Sequence, residues 1–290
     1  MKPAPFQYHA PRSLDEAAEL MGRLENAKLL AGGQSLVPML NFRYVIVDHI
    51  VTLEHVPDLA GIALHDGVLR IGAMTRQRDL EFSGIVAEHC PLLTAALAFT
   101  GHRQTRNRGT IGGSLCHADP SAEQPTVCAA HDATVELCSV RGRRKVPFSE
   151  FGIDFMTTAV EPDEILCAVE LPLWRAGHGH GFHEFARRHG DFAIVASACL
   201  LTLARDGTVE DASVTLAGVG TAPLRMPEVE SHLVGRRPDA ETVREAAART
   251  ASTEPVADVH ASSDYRRHLA RVLTERAIAD AANRARGDMT

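Results

Sequence analysis

The sequence predicts an α+β protein with two domains, an N-terminal region of α/β units and a C-terminal region in which helices cover a small sheet. Three features of the chain lead to this prediction. A capped helix stands beside short apolar strands near the N-terminus, paired strand patterns with tight turns occupy the middle, and amphipathic helices end the chain. The 290 residues, 45% of them hydrophobic and 23% charged, are enough for two hydrophobic cores.

The first subdomain is predicted over about residues 1–58. Ser13 and Glu16 form a capping box, and the apolar residues that follow fall on one face, which predicts a helix over residues 14–25. A short buried strand, AKLL, then ends at the pair Gly32-Gly33, and VIVDHIVTL predicts a further strand. The opening therefore alternates helix and strand, as an α/β unit does.

Two hairpins, a helix and a final strand are predicted for the second subdomain, about residues 59–176. ALHDGVLRIGA turns at Asp66-Gly67, the strongest short hairpin signal, and a second hairpin turns near Arg141-Gly142. Apolar spacing predicts a helix over residues 85–100, which Pro91 should start or bend. EILCAVELPLW is the last strand.

The glycine-rich segment RAGHGHG, residues 175–181, predicts a flexible joint. We therefore place the boundary there, with an N-terminal domain over residues 1–176 and a C-terminal domain over residues 177–290. Two strands separated by a turn at Asp206-Gly207 follow the joint. Helices are then predicted over residues 222–234, 239–252 and 262–286, the last capped by Ser262 or Ser263.

Charge and cysteine pattern exclude several functional classes. The net charge of -7 and the pI near 6.1 give no basic surface for nucleic acid. Six cysteines without a CxxC pair are expected to be buried or half-buried thiols rather than iron–sulfur ligands. The first residues lack a secretory signal pattern, and no apolar run approaches about 20 residues, so we expect a cytoplasmic protein.

Three histidines, His178, His180 and His183, lie close together in and after the predicted joint. Imidazoles at such spacing can bind zinc or nickel, but no fourth ligand lies near them in the sequence. No metal site is therefore predicted.

Two segments share a Gly-Gly-x-Ser or Gly-Gly-Ser pattern, namely KLLAGGQSLVPMLNFR (residues 28–43) and RNRGTIGGSLCHADPSAE (residues 106–123). Glycine can take positive φ, and two adjacent glycines can aim consecutive N–H groups into a concavity that suits phosphate oxygens. Hydroxyls of Ser35, Thr110 and Ser114 could add donors. The alternative for either segment alone is an ordinary tight turn. Neither a G-x-G-x-x-G nor a P-loop pattern occurs, so a Rossmann or P-loop fold is not expected.

AGGQSL (31–36) and TIGGSLCHADPSAE (110–123) resemble the two FAD-pyrophosphate loops of the medium, flavin-binding subunit of the molybdenum hydroxylases. This family includes bacterial carbon monoxide dehydrogenases, and xanthine dehydrogenase carries the same FAD domain. FQYHAPRSLDEAAELM, ARRHGDFAIV (186–195) and DYRRHLARVL (264–273) resemble further family segments in the same order, so the resemblance covers nearly the whole chain. It implies a PCMH-type FAD-binding domain of two α/β subdomains and a C-terminal domain of the CO dehydrogenase flavoprotein type.

The resemblance also implies which residues bind FAD. Glu123 would accept hydrogen bonds from sugar hydroxyls, and Phe192 would cover one face of the flavin. The alternatives are a solvated acid for Glu123, a core residue for Phe192 and a turn-stabilising role for His117. The implied residues are Ala31, Gly32, Gly33, Gln34, Ser35 and Leu36 in the first loop, Thr110, Ile111, Gly112, Gly113 and Ser114 in the second, and Thr100, Gly101, His117, Glu123, Cys167, Asp191 and Phe192 elsewhere.

By the same resemblance, the chain is an electron-transfer subunit. Its FAD would accept electrons from the [2Fe–2S] clusters of a small subunit, beside a large molybdenum-cofactor subunit in a dimer of heterotrimers, and pass them to a quinone, NAD or oxygen. Relatives differ at Gln34, where several have histidine, and near Glu184, where some have lysine, so flavin tuning is not carried over. Two alternatives stay open: a stand-alone FAD-dependent oxidase or dehydrogenase with His117, His183 or His189 as a base, and a non-enzymatic paralogue.

Overall fold

The computed structural model of the chain describes residues 1–287. Its strands are β1 (Gln7–His9), β2 (Ala27–Leu30), β3 (His49–Thr52), β4 (Ile62–His65), β5 (Val68–Gly72), β6 (Thr134–Ser139), β7 (Gly142–Pro147), β8 (Gly152–Asp154), β9 (Thr157–Thr158), β10 (Ile165–Pro172), β11 (Gly179–Phe185), β12 (Val195–Leu203), β13 (Val209–Ala217) and β14 (Leu224–Arg225). Its helices are α1 (Leu14–Arg23), α2 (Leu36–Asn41), α3 (Gln77–Glu81), α4 (Gly84–His89), α5 (Pro91–Leu97), α6 (Arg103–Arg108), α7 (Ile111–His117), α8 (Glu123–Ala130), α9 (Phe148–Phe151), α10 (Pro227–Leu233), α11 (Ala240–Ala248) and α12 (Ser263–Arg286).

A three-stranded parallel sheet in the order β1-β3-β2 forms the first subdomain. Helix α1 begins as the capping box predicts, because the Ser13 hydroxyl oxygen accepts the Glu16 N–H at 3.1 Å. Its buried face carries Leu14, Ala17, Ala18 and Met21. The loop between β2 and α2 carries the first glycine pair.

A five-stranded antiparallel sheet in the order β4-β5-β10-β6-β7 forms the second subdomain. The predicted hairpin turns at Asp66 and Gly67, whose φ angles of 46° and 79° are both positive, as this turn requires. The single helix predicted over residues 85–100 is two helices, because Pro91 begins α5 directly after α4 has ended. Helices α5, α7 and α8 contribute Leu93, Ile111 and Val127 to a core shared with this sheet.

The C-terminal sheet has the antiparallel order β11-β12-β13-β14, and α12 packs along β11 and β12. Ser262 caps α12, since its hydroxyl accepts the Tyr265 N–H at 3.2 Å. The predicted helix over residues 222–234 is shorter than expected. Leu224–Arg225 instead pair with β13 as an edge strand, and α10 begins at Pro227.

The predicted joint at residues 175–181 is in part a buried strand. A Cβ on Gly179 would lie 1.7 Å from the Ala281 carbonyl oxygen, and one on Gly181 would lie 2.1 Å from that of Ala277. The glycines therefore let the backbone of α12 pack directly on β11. The expectation of a flexible joint is wrong for this half of the segment.

One of the hydrophobic cores spans both domains, and a second lies within the C-terminal domain alone. The rings of Phe99 and Phe182 lie 5.5 Å apart, centroid to centroid, across the domain boundary. The Ser213 hydroxyl donates to the Ala130 carbonyl at 2.7 Å, and Arg225 pairs with Asp132 at 2.8 Å. These contacts join the C-terminal sheet to the end of α8.

All six cysteines are free, and five are buried. Cys116 on α7 is exposed, so the expectation of buried or half-buried thiols fails there. Within residues 1–287, no helix combines the length and the hydropathy of a membrane-spanning segment.

Candidate functional site

The first glycine loop, residues 31–35, leaves a row of backbone amides free. Among residues 1–287, no acceptor pairs with the N–H groups of Gly32, Gly33, Gln34 or Ser35. Gly33 has a φ of +73°, a conformation that residues with a side chain rarely adopt. Consecutive unpaired amides around a residue of positive φ form an anion-binding nest. This loop therefore has the geometry that its sequence predicts.

The two glycine loops meet. A Cβ on Gly32 would lie 2.2 Å from the carbonyl oxygen of Arg108, just before the second loop. On the other side, a Cβ on Gly113 would lie 3.6 Å from the Cβ of Ala31. Glycine at position 32 is thus required for the close approach of the two backbones.

The second loop differs from expectation, because residues 111–117 form helix α7. Thr110 caps this helix by accepting the Gly113 N–H at 3.1 Å. The N–H groups of Ile111, Gly112 and Ser114 are also paired, with carbonyls of Thr75, Ala73 and Thr110. Neither glycine has positive φ. The second segment therefore offers hydroxyls and close backbone approach rather than a nest of free amides.

A loop of the C-terminal domain, residues 186–194, closes over Gly101. A Cβ on Gly190, whose φ is +86°, would lie 2.6 Å from ring atoms of His102. This contact places the loop that carries Asp191 and Phe192 against Gly101 and His102. The Phe192 side chain is 54% exposed, so it is not a core residue. An exposed aromatic ring beside a cleft is suited to stacking on a flat ligand.

Two carboxyl groups, those of Glu123 and Glu184, face each other across the domain boundary. Glu123 begins α8 and is buried, so it is not a solvated acid. Burial raises the pKa of Glu123 to about 7, although hydrogen bonds from its own backbone N–H and from Thr100 oppose this shift. On β11, burial and then the charge of Glu123 raise the pKa of Glu184 to about 8. Sequence reasoning noted Glu184 only as a position where relatives differ and did not include it among the FAD-binding residues.

Three other residues named in the sequence analysis have surroundings of their own. Cys167 is buried in the core beneath α1, and its thiol donates to the Ile165 carbonyl. His117 is half-buried at the end of α7, and burial lowers its pKa. His183 bonds Asp280 of α12 at 3.0 Å. No group of three or more His, Cys, Asp or Glu in residues 1–287 is arranged to hold a metal.

The donor set fits FAD. The free amides of residues 32–35 suit phosphate oxygens, Glu123 suits sugar hydroxyls, and the Phe192 ring suits a flat ring system. The buried side-chain oxygens Glu184 Oε2 and Asp191 Oδ2 have no hydrogen-bond partner among residues 1–287. Unpaired polar atoms of this kind are expected where a ligand completes the hydrogen bonds.

Two family models cover most of the chain. The FAD binding domain in molybdopterin dehydrogenase matches residues 4–174, and the CO dehydrogenase flavoprotein C-terminal domain matches residues 180–281. The chain is 40% identical over 288 residues to the 6-hydroxypseudooxynicotine dehydrogenase complex subunit alpha of Paenarthrobacter nicotinovorans, covering 99% of this chain and 97% of that one. It is 36% identical to the carbon monoxide dehydrogenase medium chain of Hydrogenophaga pseudoflava, covering 96% and 97%.

Solved structures agree with the sequence relatives. Carbon monoxide dehydrogenase from Hydrogenophaga pseudoflava superposes with a TM-score of 0.95 at 36% identity, covering 98% of this chain and 99% of that one. Quinoline 2-oxidoreductase from Pseudomonas putida 86 gives a TM-score of 0.94 at 37% identity, with 100% of both chains covered. The chain belongs to the family that the glycine loops indicated: it is an FAD-binding medium subunit of the molybdenum hydroxylases, a flavoprotein oxidoreductase.

Proposed function

We propose that this chain carries FAD as the electron-transfer subunit of a molybdenum hydroxylase complex. The observation that carries the proposal is the row of unpaired amides at residues 32–35 where the two glycine loops meet. When bound, FAD supplies a centre that takes up electrons one or two at a time and releases them to an acceptor. The chain's own residues bind the phosphates, orient the ring system and limit water access.

The proposed roles divide between the two domains. Gly32, Gly33, Gln34 and Ser35 donate backbone N–H groups to the pyrophosphate, with Thr110 and Ser114 hydroxyls beside them. Glu123 accepts from sugar hydroxyls, and Phe192 covers one face of the flavin. Because these residues come from both domains, the packing of one domain against the other determines the orientation of the cofactor.

The proposed partners are a small subunit with two [2Fe–2S] clusters and a large subunit with the molybdenum cofactor, assembled as a dimer of heterotrimers. The relatives are named as a medium chain and as a subunit of a dehydrogenase complex. An apolar segment that directly follows α2 offers a surface for a partner: Phe42, Tyr44 and Ile46 are 61%, 83% and 62% exposed. The final acceptor is a quinone, NAD or oxygen.

No observation favours a stand-alone oxidase or dehydrogenase. Such an enzyme needs a base in the cleft, and His183 is held by Asp280 on the side of β11 that carries α12. His189 is exposed beside His102, with the ring centroids 6.1 Å apart. His183 therefore faces away from the first domain, and His189 bonds no carboxylate within residues 1–287.

The test is purification of the tagged full chain from its own host, followed by cofactor and metal analysis. We expect one FAD per chain, together with iron and molybdenum in two co-purifying subunits. Addition of the complex's substrate should bleach the flavin absorbance. A flavin-loaded chain that purifies without iron or molybdenum and turns over a substrate alone would establish the stand-alone alternative instead.

A further inference from the structure

One carboxyl group in the cleft, that of Glu184, has no role in the proposed function. Side chains alternate along β11, so Phe182 and Glu184 share one face. Phe182 packs on Phe99 of the first domain, whereas Gly181 and His183 contact α12 on the other face. Glu184 therefore points toward the first domain, where the charge of Glu123 lies close enough to raise the pKa of Glu184.

The two carboxyls differ in the donors near them. Its own backbone N–H and Thr100 lower the pKa of Glu123, against the larger effect of burial. The Oε2 atom of Glu184 is buried and has no hydrogen-bond partner among residues 1–287. A buried carboxylate without donors is strongly unfavourable, while a protonated carboxyl needs only an acceptor for its O–H.

The charges around Glu184 favour its protonated form. From the first domain it faces Glu123. The charge of Asp119 raises the pKa of Glu123, and the charge of Arg106 lowers it. The other elements packed on this face, α5 and β12, carry no charged residues. No cation therefore compensates a charge on Glu184 from these elements.

The remaining charged groups nearby are paired elsewhere. His183, next along the strand, bonds Asp280 on the opposite face at 3.0 Å. In the loop after β11, Arg187 lies 3.9 Å from Asp191. Two carboxyls that share a desolvated site do not both ionise near neutral pH.

We propose that above pH 7 Glu184 keeps its proton while Glu123 is ionised, and that the Glu184 O–H donates a hydrogen bond to an acceptor atom of the bound FAD. The proposal rests on the proposed function, because FAD must occupy the cleft. It gives the two acids opposite roles: Glu123 accepts from the cofactor and Glu184 donates to it.

The consequence is a pH-dependent affinity. Burial, with a further contribution from the charge of Glu123, raises the pKa of Glu184 to about 8. Below that pH the donor is present. Above it the proton is lost and a second negative charge appears beside Glu123. For one linked proton, the dissociation constant of FAD should rise about tenfold between pH 7 and pH 9.

The experiment is calorimetric titration of the FAD-free full chain with FAD between pH 7 and pH 9, at or above the pKa of about 7 that burial gives Glu123. The variants are Glu184→Gln, whose amide still donates but does not titrate, and the control Glu241→Gln at an exposed position of α11. Ionisations of FAD itself are common to all three proteins. We expect the about tenfold rise in wild type and control, and a dissociation constant in Glu184→Gln that stays nearly constant across the same range.

Three results would overturn the inference. A wild-type affinity that does not change with pH, or the same rise in Glu184→Gln as in wild type, would contradict it while leaving the FAD site intact. Absence of FAD binding to wild type at every pH would contradict the proposed function itself. If Glu184→Gln does not fold, Glu123→Gln is the deciding variant. Removal of the like charge should lower the pH at which the dissociation constant of FAD rises. A rise at the same pH as in wild type would contradict the interaction between Glu123 and Glu184.

Discussion

Gly33 is the residue on which the first loop depends most directly. Its φ of +73° costs a residue with a Cβ about 1–2 kcal/mol, and its ideal Cβ would lie 3.1 Å from Val37 Cγ2. Gly33→Val should therefore strain the loop and misplace its free amides. We expect a chain that still folds and binds FAD at least about tenfold more weakly, measured by titration and by cofactor content after purification.

Gly67→Val is the matched control for this substitution. Gly67 has a φ of +79° at a hairpin turn, and its ideal Cβ would have no atom within 4 Å. Both variants should lose similar thermal stability through backbone strain, and only Gly33→Val should lose FAD. Equal FAD content in the two variants would refute the assignment of the first loop.

Phe192 makes a second prediction at the residue scale. A core phenylalanine replaced by alanine costs about 3–5 kcal/mol, whereas an exposed one costs about 0.5 kcal/mol or less. At 54% exposure, Phe192→Ala should change the urea midpoint little. It should keep FAD but alter the flavin spectrum and the rate of reoxidation by an added quinone. A large stability loss with an unchanged spectrum would show that the ring packs in the protein instead.

At the scale of elements, the contact of α12 with β11 depends on two glycines. A methyl group on Gly181 would meet the Ala277 carbonyl oxygen at 2.1 Å, so the helix must shift. Gly181→Ala should lower the free energy of unfolding by about 1–3 kcal/mol, measured by urea denaturation. Gly84→Ala, which has open space around it and no positive φ, should be neutral or slightly stabilising. Similar losses in both would argue against close helix–strand packing.

Local signals in the sequence predicted several elements well. The capping box of α1, the Asp66-Gly67 turn and the cap of α12 act within a few residues, so they are visible in the chain itself. Helix α7 was missed because its glycines suggested a turn. The Thr110 cap and the buried pair Ile111 and Leu115, spaced by one helical turn, determine that it is a helix.

The candidate site was predictable only in part. The glycine loops could be named from their residues and from the family resemblance. The contact between the two loops depends on how two sheets pack, which the sequence does not show. The contact of Gly32 with Arg108, and of Gly190 with His102, joins segments distant in sequence. Glu184 was not included in the site because the glycine-rich segment before it predicted a flexible joint, whereas the structure has strand β11 there, facing the first domain.

At the scale of the whole molecule, the shared core predicts cooperative unfolding. Phe99 and Phe182 pack across the boundary, and Arg225 pairs with Asp132 at 2.8 Å, so opening of the interface exposes apolar side chains of both domains. Trp174, the only tryptophan, lies in the connection between the two domains and packs against this core. Its fluorescence therefore reports on the interface, while far-ultraviolet circular dichroism reports on all helices.

The two signals should give coincident urea transitions, as a two-state process requires. Because FAD contacts both domains in the proposed site, saturating FAD should raise both midpoints together. At a free concentration about 100 times the dissociation constant, it should add about 2.7 kcal/mol to the free energy of unfolding. A tryptophan transition that precedes the loss of circular dichroism would mean that the interface opens first. In that case the cofactor would be held by the N-terminal domain alone, and FAD would stabilise only the later transition.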